Sequence, residues 1–346
     1  MLILGGAKML RQHKIPVTIL TGFLGAGKTT LLNRLLRDVR NQHAGVIINE
    51  FGETGIDAEL VIKTQEEIIE INKGCICCNV RGDLIQILKD LIVKVNKRDI
   101  QLDRIIIETT GLANPGPVIQ TFLMDEVMSF WFDIDSVCTV VDAKHLPLHL
   151  DQEEAQEQIA FADLIVMNKT DLVSSQEIED LKFRLKQMNA TAEIISTTNS
   201  EIPLNKLLGI ASFQLSEKLK IRPNMLTDNH HHHDDKINSV VLKADRALLM
   251  DRVNEWFSYL VQIKGESLYR YKGILNVKDT DYRVVFQGVH MLFAGTEDRK
   301  WKNDETRKSE LVFIGSKLNK EDFNKGFRYC MGEDFNLRKE GNFFNV

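Results

Sequence analysis

A glycine-rich segment near the start of the chain has the residue types and spacing of a phosphate-binding loop. Residues 22–30 are GFLGAGKTT, which fits the pattern G-x-x-x-x-G-K-[ST]. Glycines let backbone N–H groups curl around phosphate oxygens without a clashing Cβ, and a following helix directs its positive end at the same anion. Lys28 is predicted to contact the β- and γ-phosphates and Thr29 to bind Mg²⁺. An apolar strand before the segment and a helix after it argue against a chance glycine-rich turn. The predicted cradle comprises Gly22, Gly25, Ala26, Gly27, Lys28, Thr29 and Thr30.

A second motif, NKTD at residues 168–171, predicts which base is bound. It ends the apolar run LIVMN, so Asn168, Lys169 and Asp171 are expected at a strand end. The Asp171 carboxylate would accept hydrogen bonds from the N1–H and exocyclic amine of guanine, whereas adenine would leave it unpaired, which discriminates strongly. The four residues are a weak signal alone, but downstream of a phosphate-binding loop they favour GTP over ATP.

A third motif, ETTG at residues 108–111, ends the run RIIIE. P-loop proteins place an acidic residue here near Mg²⁺, followed by a glycine whose N–H senses the γ-phosphate. Glu108 and Gly111 are the candidates, and Lys28, Thr29 and Glu108 form the predicted catalytic set. Leu112 follows Gly111, so the water-orienting Gln of Ras-like proteins is missing there. Slow intrinsic hydrolysis is expected, with the water-positioning group unidentified; the alternative for Glu108 is a plain strand-end carboxylate.

Three of the five cysteines, Cys75, Cys77 and Cys78, lie within the segment GCICC at residues 74–78. A C-x-C-C tract can chelate one soft or borderline metal ion, and thiolates suit Zn²⁺ and Cu⁺. The tract supplies three ligands rather than the four of a closed structural site, so an open site suited to metal transfer is predicted. The alternatives are a small buried turn with inert thiols, or a redox pair.

The position of the cysteines suggests coupling between metal and nucleotide. They follow residues 49–57, NEFGETGID, where a switch loop is expected, and precede the strand that ends at Glu108. The order of such a region depends on the γ-phosphate and Mg²⁺ in P-loop proteins. Glu50 and Glu53 in the expected loop are candidate extra ligands, or serve Mg²⁺ or solvent.

The apolar pattern predicts the elements that hold these motifs. Short Ile- and Val-rich runs alternate with amphipathic helices, which implies a mostly parallel α/β sheet covered on both faces. The predicted strands are 17–21, 45–49, 104–108, 137–141, 164–168 and 193–196, and the helices are 28–40, 81–96, 115–128 and 175–189. A smaller α+β domain follows, with strands 237–243, 269–277, 282–289 and 310–316, a helix at 248–261 and a last helix from about 320. Trp256 and Phe257 are predicted core residues.

This pattern divides the chain into four predicted parts. They are an N-terminal extension at 1–13, a P-loop domain at 14–221, a His-rich linker at 222–236 and the C-terminal domain at 237–346. The linker contains His230, His231, His232 and His233, whose neutral imidazoles bind Zn²⁺, Ni²⁺ and Co²⁺. The alternative is a solvated loop. The lone His13 and His290 have no predicted role. Asp142 is predicted to end a strand near the edge that binds nucleotide, where it could be structural or functional.

The overall composition excludes several classes of protein. The chain has 346 residues, five cysteines, a net charge of −5 and a pI of about 6.0. Nothing here suggests electrostatic capture of nucleic acid, and the thiols are too few and too close for a disulfide scaffold, so a cytoplasmic protein is expected. No apolar run reaches the roughly 18 residues of a membrane span, and the first 14 residues do not resemble a signal peptide.

Taken in order, GFLGAGKTT, INEFGE, GCICC, ETTG and NKTD resemble the motifs of the CobW-like P-loop GTPases. The segments RYKGILNV, VVFQGV and RKSELVFIG resemble that family's smaller C-terminal domain, so the likeness covers nearly the whole chain after the first dozen residues. The family belongs to a wider group of metal-centre assembly GTPases that use Glu where Ras-like proteins have Asp, which fits Glu108. Members are also associated with nitrile hydratase activation.

The resemblance implies GTP hydrolysis tied to delivery of a metal, Zn²⁺ in many members and Co²⁺ in the cobalamin branch. The leading hypothesis is a GTP-hydrolysing metallochaperone that serves a metalloenzyme client, with the histidine run as an auxiliary metal collector. A homodimer is a further candidate partner. One alternative is a metal buffer in which nucleotide only stabilises the fold. The other is a small-molecule P-loop kinase, which would not need NKTD.

Overall fold

The computed structural model describes residues 14–38, 43–48, 80–209 and 236–333. Six strands of the first part form one sheet in the order β2-β3-β1-β4-β5-β6, and all the pairings between them are parallel. The strands are β1 (Ile15–Thr21), β2 (Ala44–Ile48), β3 (Arg104–Glu108), β4 (Phe132–Asp142), β5 (Leu164–Asn168) and β6 (Glu193–Ser196). The helices are α1 (Lys28–Asp38), α2 (Val80–Lys97), α3 (Gly116–Met124), α4 (Glu126–Trp131), α5 (Leu146–His149), α6 (Glu153–Phe161) and α7 (Ser175–Met188).

The sheet is buried on both faces, as the Ile- and Val-rich runs predicted. Every residue of β3 and of β5 is buried. Because all six strands point the same way, their carboxyl ends meet at one edge, and the segments that follow them are brought together there. The predicted motifs leave β1, β3 and β5 at this edge.

Two parts of the first domain differ from the sequence prediction. The helix expected over 115–128 is two helices, because Asp125 adopts an extended backbone and its side chain caps α4, accepting hydrogen bonds from Val127 N at 2.9 Å and Met128 N at 3.1 Å. The second difference lies between β4 and β5, where α5 and α6 form helices that the pattern did not predict. Strand β4 is also longer than predicted, with eleven residues.

The second part comprises β7 (Ile237–Ala244), α8 (Met250–Lys264), β8 (Leu268–Asn276), β9 (Tyr282–Val289), β10 (Leu292–Lys300), β11 (Ser309–Ser316) and α9 (Lys320–Cys330). Its strands form a five-stranded antiparallel sheet in the order β10-β9-β8-β11-β7, packed against the two helices. Trp256, Phe257, Phe313 and Phe323 are fully buried in its core, which confirms the core prediction for the first two. Strand β10 was not predicted and pairs with β9 as the edge strand.

A buried ion cluster joins the two sheets. Asp163, just before β5, accepts hydrogen bonds from Val137 N at 2.9 Å, from Arg270 Nη2 at 2.7 Å and from Lys272 Nζ. Arg270 also donates to the carbonyl oxygen of Phe161 at the end of α6. The second sheet is therefore fixed to the β4, α6 and β5 region of the first. Within the described ranges, no helix is long and apolar enough to cross a bilayer.

Candidate functional site

The loop between β1 and α1 has the backbone of a phosphate cradle. Gly22, Gly25 and Gly27 have φ values of +138°, +72° and +108°, which L side chains rarely adopt. A Cβ added at Gly22 would overlap the carbonyl oxygen of Val140, and one at Gly27 would overlap the amide nitrogen of Asn168. Glycine is therefore required at both positions by backbone conformation and by space. Helix α1 begins directly after the loop, so its positive end faces the cradle.

Lys28 lies at the start of α1 and is buried against the loop. Its Nζ donates a hydrogen bond to the carbonyl oxygen of Phe23 at 3.2 Å. Burial lowers the pKa of Lys28, while the nearby Glu108 carboxylate opposes that shift. A phosphate in the cradle would supply the counter-charge that favours the ammonium form. The side chain is thus already directed along the loop that the sequence predicts to hold phosphate.

Thr29 and Glu108 bring a hydroxyl and a carboxylate together beside the cradle. The Thr29 hydroxyl donates a hydrogen bond to Glu108 Oε1 at 3.0 Å. Strands β1 and β3 bring the two residues together, because Leu20 of β1 lies in register with Glu108 of β3. Hydroxyl and carboxylate oxygens are ligands that Mg²⁺ accepts, usually together with water and nucleotide phosphates. The two side chains therefore fit the predicted Mg²⁺ site.

The loop after β3 packs directly against the tip of the phosphate loop. Thr109 anchors its start, because its N–H donates to Leu20 O at 2.9 Å and its hydroxyl donates to Thr21 Oγ1 at 2.8 Å. A Cβ at Gly111 would lie 2.5 Å from Leu24 Cδ2. Glycine is therefore required at this position for the loop after β3 to pack this closely against Leu24 of the phosphate loop. Leu112 is exposed. The predicted γ-phosphate-sensing glycine therefore borders the cradle.

Asn168 holds three loops together at the end of β5. It is buried, its Nδ2 donates to Ala26 O at 2.9 Å, and its Oδ1 accepts from Ser200 N at 2.8 Å. The loop at Ser200 follows β6 and was not predicted as part of the site. Its sequence signal is the small polar run TTNS at residues 197–200, where Asn199 and Ser200 have positive φ values of 51° and 57°.

Lys169 and Asp171 are placed differently from each other. Lys169 has a left-handed backbone with φ 59°, and its Nζ bonds Asp142 Oδ2 at 2.7 Å. Burial opposes ionisation of Asp142, but hydrogen bonds from Lys169 and His145 outweigh it and lower the pKa of Asp142. Asp142 thus has a structural partner at the strand end. Asp171 lies in a single 3₁₀ turn, Thr170–Leu172, and is exposed at the same edge of the sheet.

The predicted transition-metal ligands lie outside the described residues. These are Cys75, Cys77, Cys78, Glu50, Glu53 and His230 to His233; His13 lies outside as well. Among the residues that are described, no group of three His, Cys, Asp or Glu side chains is placed to hold a metal ion. Cys138 and Cys330 are buried, and burial raises the pKa of both thiols, to about 12 for Cys330. Neither is suited to thiolate chemistry.

The fold and this edge of the sheet define a P-loop nucleotide-binding protein with an added antiparallel domain. The chain belongs to the CobW/HypB/UreG family. The family's nucleotide-binding domain matches residues 16–196, and the cobalamin synthesis protein cobW C-terminal domain matches residues 237–331.

Two relatives are similar to this chain over most of their length. The zinc chaperone YjiA of Escherichia coli is 38% identical over 320 residues, which cover 91% of this chain and 98% of YjiA. The zinc-regulated GTPase metalloprotein activator 1 of Schizosaccharomyces pombe is 31% identical over 349 residues, covering 88% of this chain and 83% of that protein. The crystal structure of Zn(II)-bound YjiA GTPase from E. coli matches with a TM-score of 0.72 at 32% identity, covering 92% of this chain and 99% of that one.

Proposed function

We propose that this chain, a GTPase of the CobW family, is a metallochaperone that binds Zn²⁺ at Cys75, Cys77 and Cys78 and passes it to a metalloenzyme client. Co²⁺ is the alternative cargo. The relatives named above as a zinc chaperone and a zinc-regulated activator support Zn²⁺. The reducing environment that keeps such thiols available favours the cytoplasm.

The observation that carries the proposal is where the cysteine-bearing segment joins the described fold. Strand β2 ends at Ile48, which lies in register with Glu108 of the adjacent strand β3. The chain next enters described structure at Val80, the first residue of α2, two positions after Cys78. Helix α2 returns the chain to the start of β3, so in a parallel βαβ unit it begins at the carboxyl edge of the sheet. Both ends of the segment therefore join the fold at the edge that carries the nucleotide residues.

The proposed roles of the nucleotide residues rest on their motif positions and, for Lys28, Thr29, Glu108 and Asn168, on the contacts described above. Lys28 binds the β- and γ-phosphates within the cradle of backbone N–H groups. Thr29 and Glu108 hold Mg²⁺, which when bound neutralises charge on the phosphates. Asp171 selects guanine, and Gly111 presents its N–H toward the γ-phosphate. Asn168 acts indirectly, because it fixes the carbonyl of Ala26 in the cradle.

The proposed metal site works through thiolates rather than thiols. Three thiolates leave one position of a tetrahedral ion for water, a carboxylate or a client, which allows release. Metal binding should release protons, so affinity should rise between about pH 6 and 8. The histidine run would collect metal as an auxiliary site in a linker at 222–236, between a P-loop domain at 14–221 and a C-terminal domain at 237–346.

Nucleotide and metal should influence one another if the chain is a transfer protein. A ligand shifts a two-state element only by its differential affinity, and the coupling is reciprocal. GTP should therefore change Zn²⁺ affinity by the same factor by which Zn²⁺ changes GTP affinity. For couplings of about 1–3 kcal/mol that factor is roughly 5–150.

A competition titration with a chromophoric Zn²⁺ chelator tests this coupling. It should be run with GTP–Mg²⁺, with GDP–Mg²⁺ and with neither. Cys77→Ser together with Cys78→Ser should remove the tight site and leave GTP binding intact. Lys28→Ala is the matched control, because it should keep the metal site and lose the nucleotide dependence. Identical Zn²⁺ affinity in all three states would refute the coupled chaperone and favour a passive metal buffer.

A further inference from the structure

Gln158, in the middle of α6, holds the loop after β3 through two hydrogen bonds. The residue is 1% exposed, and its Nε2 donates to the carbonyl oxygens of Gly111 and Ala113, each at 3.1 Å. Both partners are carbonyls, so only the amide nitrogen of Gln158 can face them. Both of its N–H groups are used, and they hold the Gly111–Leu112 and Ala113–Asn114 peptide groups.

The two carbonyls belong to the segment that the proposed hydrolysis depends on. Gly111 already touches Leu24 of the phosphate loop, and the segment begins at Glu108, the partner of Thr29. A peptide group that is held by Gln158 and packed against the phosphate loop has a fixed orientation before nucleotide arrives. Such preorganisation lowers the cost of reaching the reactive geometry.

Helix α6 is itself anchored at Gln158 and at its C-terminal end. The Thr139 hydroxyl of β4 donates to the carbonyl oxygen of Gln158 at 2.6 Å. Three residues further on, the carbonyl of Phe161 accepts from Arg270 of the second domain. The ring of His290 packs against Phe161 with centroids 5.5 Å apart. The amide of Gln158 is thus carried by a helix that both domains hold in place.

We propose that Gln158 is a positioning residue for GTP hydrolysis, which acts through the Gly111–Ala113 loop and touches neither nucleotide nor Mg²⁺. The inference rests on the proposed GTPase function. It assigns a kinetic role to a residue that none of the nucleotide-binding motifs includes. Loss of the two hydrogen bonds should lower kcat by about 10- to 100-fold. The reason is that a displaced Gly111–Ala113 loop misplaces the groups around the γ-phosphate, and such misplacement can cost about 100-fold in rate. GTP affinity should change little, because the cradle and Asp171 stay intact.

Gln156→Leu is the matched control for Gln158→Leu. Gln156 lies in the same helix, is 2% exposed, and its Nε2 donates to the backbone carbonyl of Leu150 at 2.5 Å. Both variants remove a buried amide from α6, but only Gln158 holds the loop after β3. Single-turnover phosphate release, the Kd of a fluorescent GTP analogue and the melting temperature should be measured for both. The expected result is a loss of kcat in Gln158→Leu alone, at equal affinity and comparable melting temperature.

The pH dependence of kcat in Gln158→Glu is a second measurement, and it would not differ from that of the wild type if Gln158 had only a structural role. A carboxylate accepts hydrogen bonds only and would repel the two carbonyls, whereas the protonated acid donates one O–H. The kcat of Gln158→Glu relative to wild type should therefore rise as pH falls from about 8 to about 5.5. A flat ratio, or equal losses of kcat in Gln158→Leu and Gln156→Leu, would overturn the positioning role. A wild-type chain that binds GTP without hydrolysing it would instead refute the proposed function on which the inference rests.

Discussion

Replacing Asp163 by Asn should destabilise the protein strongly, because it removes a buried carboxylate that pairs with two buried cations, Arg270 and Lys272. All three side chains of the cluster are buried: Asp163 is 3% exposed, Arg270 is 1% exposed and Lys272 is 7% exposed. Asn keeps the size of the side chain and one carbonyl acceptor. It removes the negative charge and places an NH₂ group where the carboxylate accepts from Val137 N, Arg270 and Lys272. Both cations remain buried at the domain junction.

The expected loss follows from the ionisation of Asp163. Burial opposes its charge, but Arg270 and Lys272 outweigh burial and lower the pKa of Asp163 from 3.8 to about 2. A pKa lowered to this extent corresponds to roughly 2 kcal/mol of stability at neutral pH. Breaking a buried pair costs about 3–5 kcal/mol when a charge is left unpaired. Burial, together with Arg270, already lowers the pKa of Lys272 to about 8, so this lysine can lose its proton and limit the loss. We therefore expect about 2–4 kcal/mol at neutral pH.

The pH dependence has a definite sign. A carboxyl group whose pKa is lower in the folded state contributes stability above its unfolded pKa and loses it as pH falls through the folded value. For Asp163 this window runs from about pH 4 down to about pH 2. The difference in unfolding free energy between wild type and Asp163→Asn should narrow across it.

Urea unfolding followed by tryptophan fluorescence measures both effects. Trp131 reports on the first domain, and the buried Trp256 reports on the second. Asp281→Asn is the matched control, because Asp281 pairs with Arg307 at 2.8 Å on an exposed surface, where ion pairs contribute little. Equal stability of Asp163→Asn and Asp281→Asn, or a gap that is constant from neutral to acid pH, would refute the reasoning.

Three further predictions concern the nucleotide site. Lys28→Ala should abolish phosphate release and most GTP affinity, and wild-type turnover in this variant would contradict the phosphate-loop assignment. Asp171→Asn should shift preference from GTP toward xanthosine triphosphate, measured as the ratio of kcat/KM values, and unchanged discrimination would count against its base-selecting role. Gly27→Ala should reduce GTP affinity and melting temperature more than Gly25→Ala, because a Cβ at Gly27 overlaps a buried amide while one at Gly25 meets nothing within 4 Å. Both substitutions place an L residue at a positive φ, which costs about 1–2 kcal/mol. Equal losses of affinity and melting temperature would therefore show that backbone strain, and not the overlap with Asn168, causes them.

The sequence predicted the strands and motif positions well where one physical signal dominated. The bounds of β3 and β5 match the prediction because each is a short apolar run that is buried on both faces and ends in a polar motif. The predicted helix over 115–128 was wrong in one respect, since Asp125 offered a cap that competes with helix continuation. Local side-chain hydrogen bonding of this kind does not disturb the apolar periodicity, so the pattern did not reveal it.

Helix α6 shows why part of the site was not predictable. Its sequence, EEAQEQIAF, lacks an apolar stripe, yet Gln156, Glu157 and Gln158 are buried. The two glutamines satisfy backbone carbonyls of neighbouring loops, and burial next to Glu153 and Glu154 raises the pKa of Glu157 to about 7. Polar residues that are buried through long-range partners have no periodic signal in the sequence. The contacts of Asn168 were not predictable for the same reason. Its motif suggested a nucleotide contact, but its side-chain amide bonds the backbone of the phosphate loop at Ala26 and of the loop after β6 at Ser200.

The strand order explains how metal and the second domain could act on one nucleotide. Strand β3 lies between β2 and β1, so the loop after Glu108 starts between the end of β2 at Ile48 and the phosphate loop that follows β1. Helix α6 connects the same loop to Arg270 through Gln158 and Phe161. If the proposed metal site forms between β2 and α2, metal binding and a change in domain contact would both act on the γ-phosphate through one short piece of backbone. That shared element is what reciprocal coupling requires, and Gln158→Leu should weaken the effect of Zn²⁺ on GTP hydrolysis while leaving Zn²⁺ affinity in the nucleotide-free state unchanged.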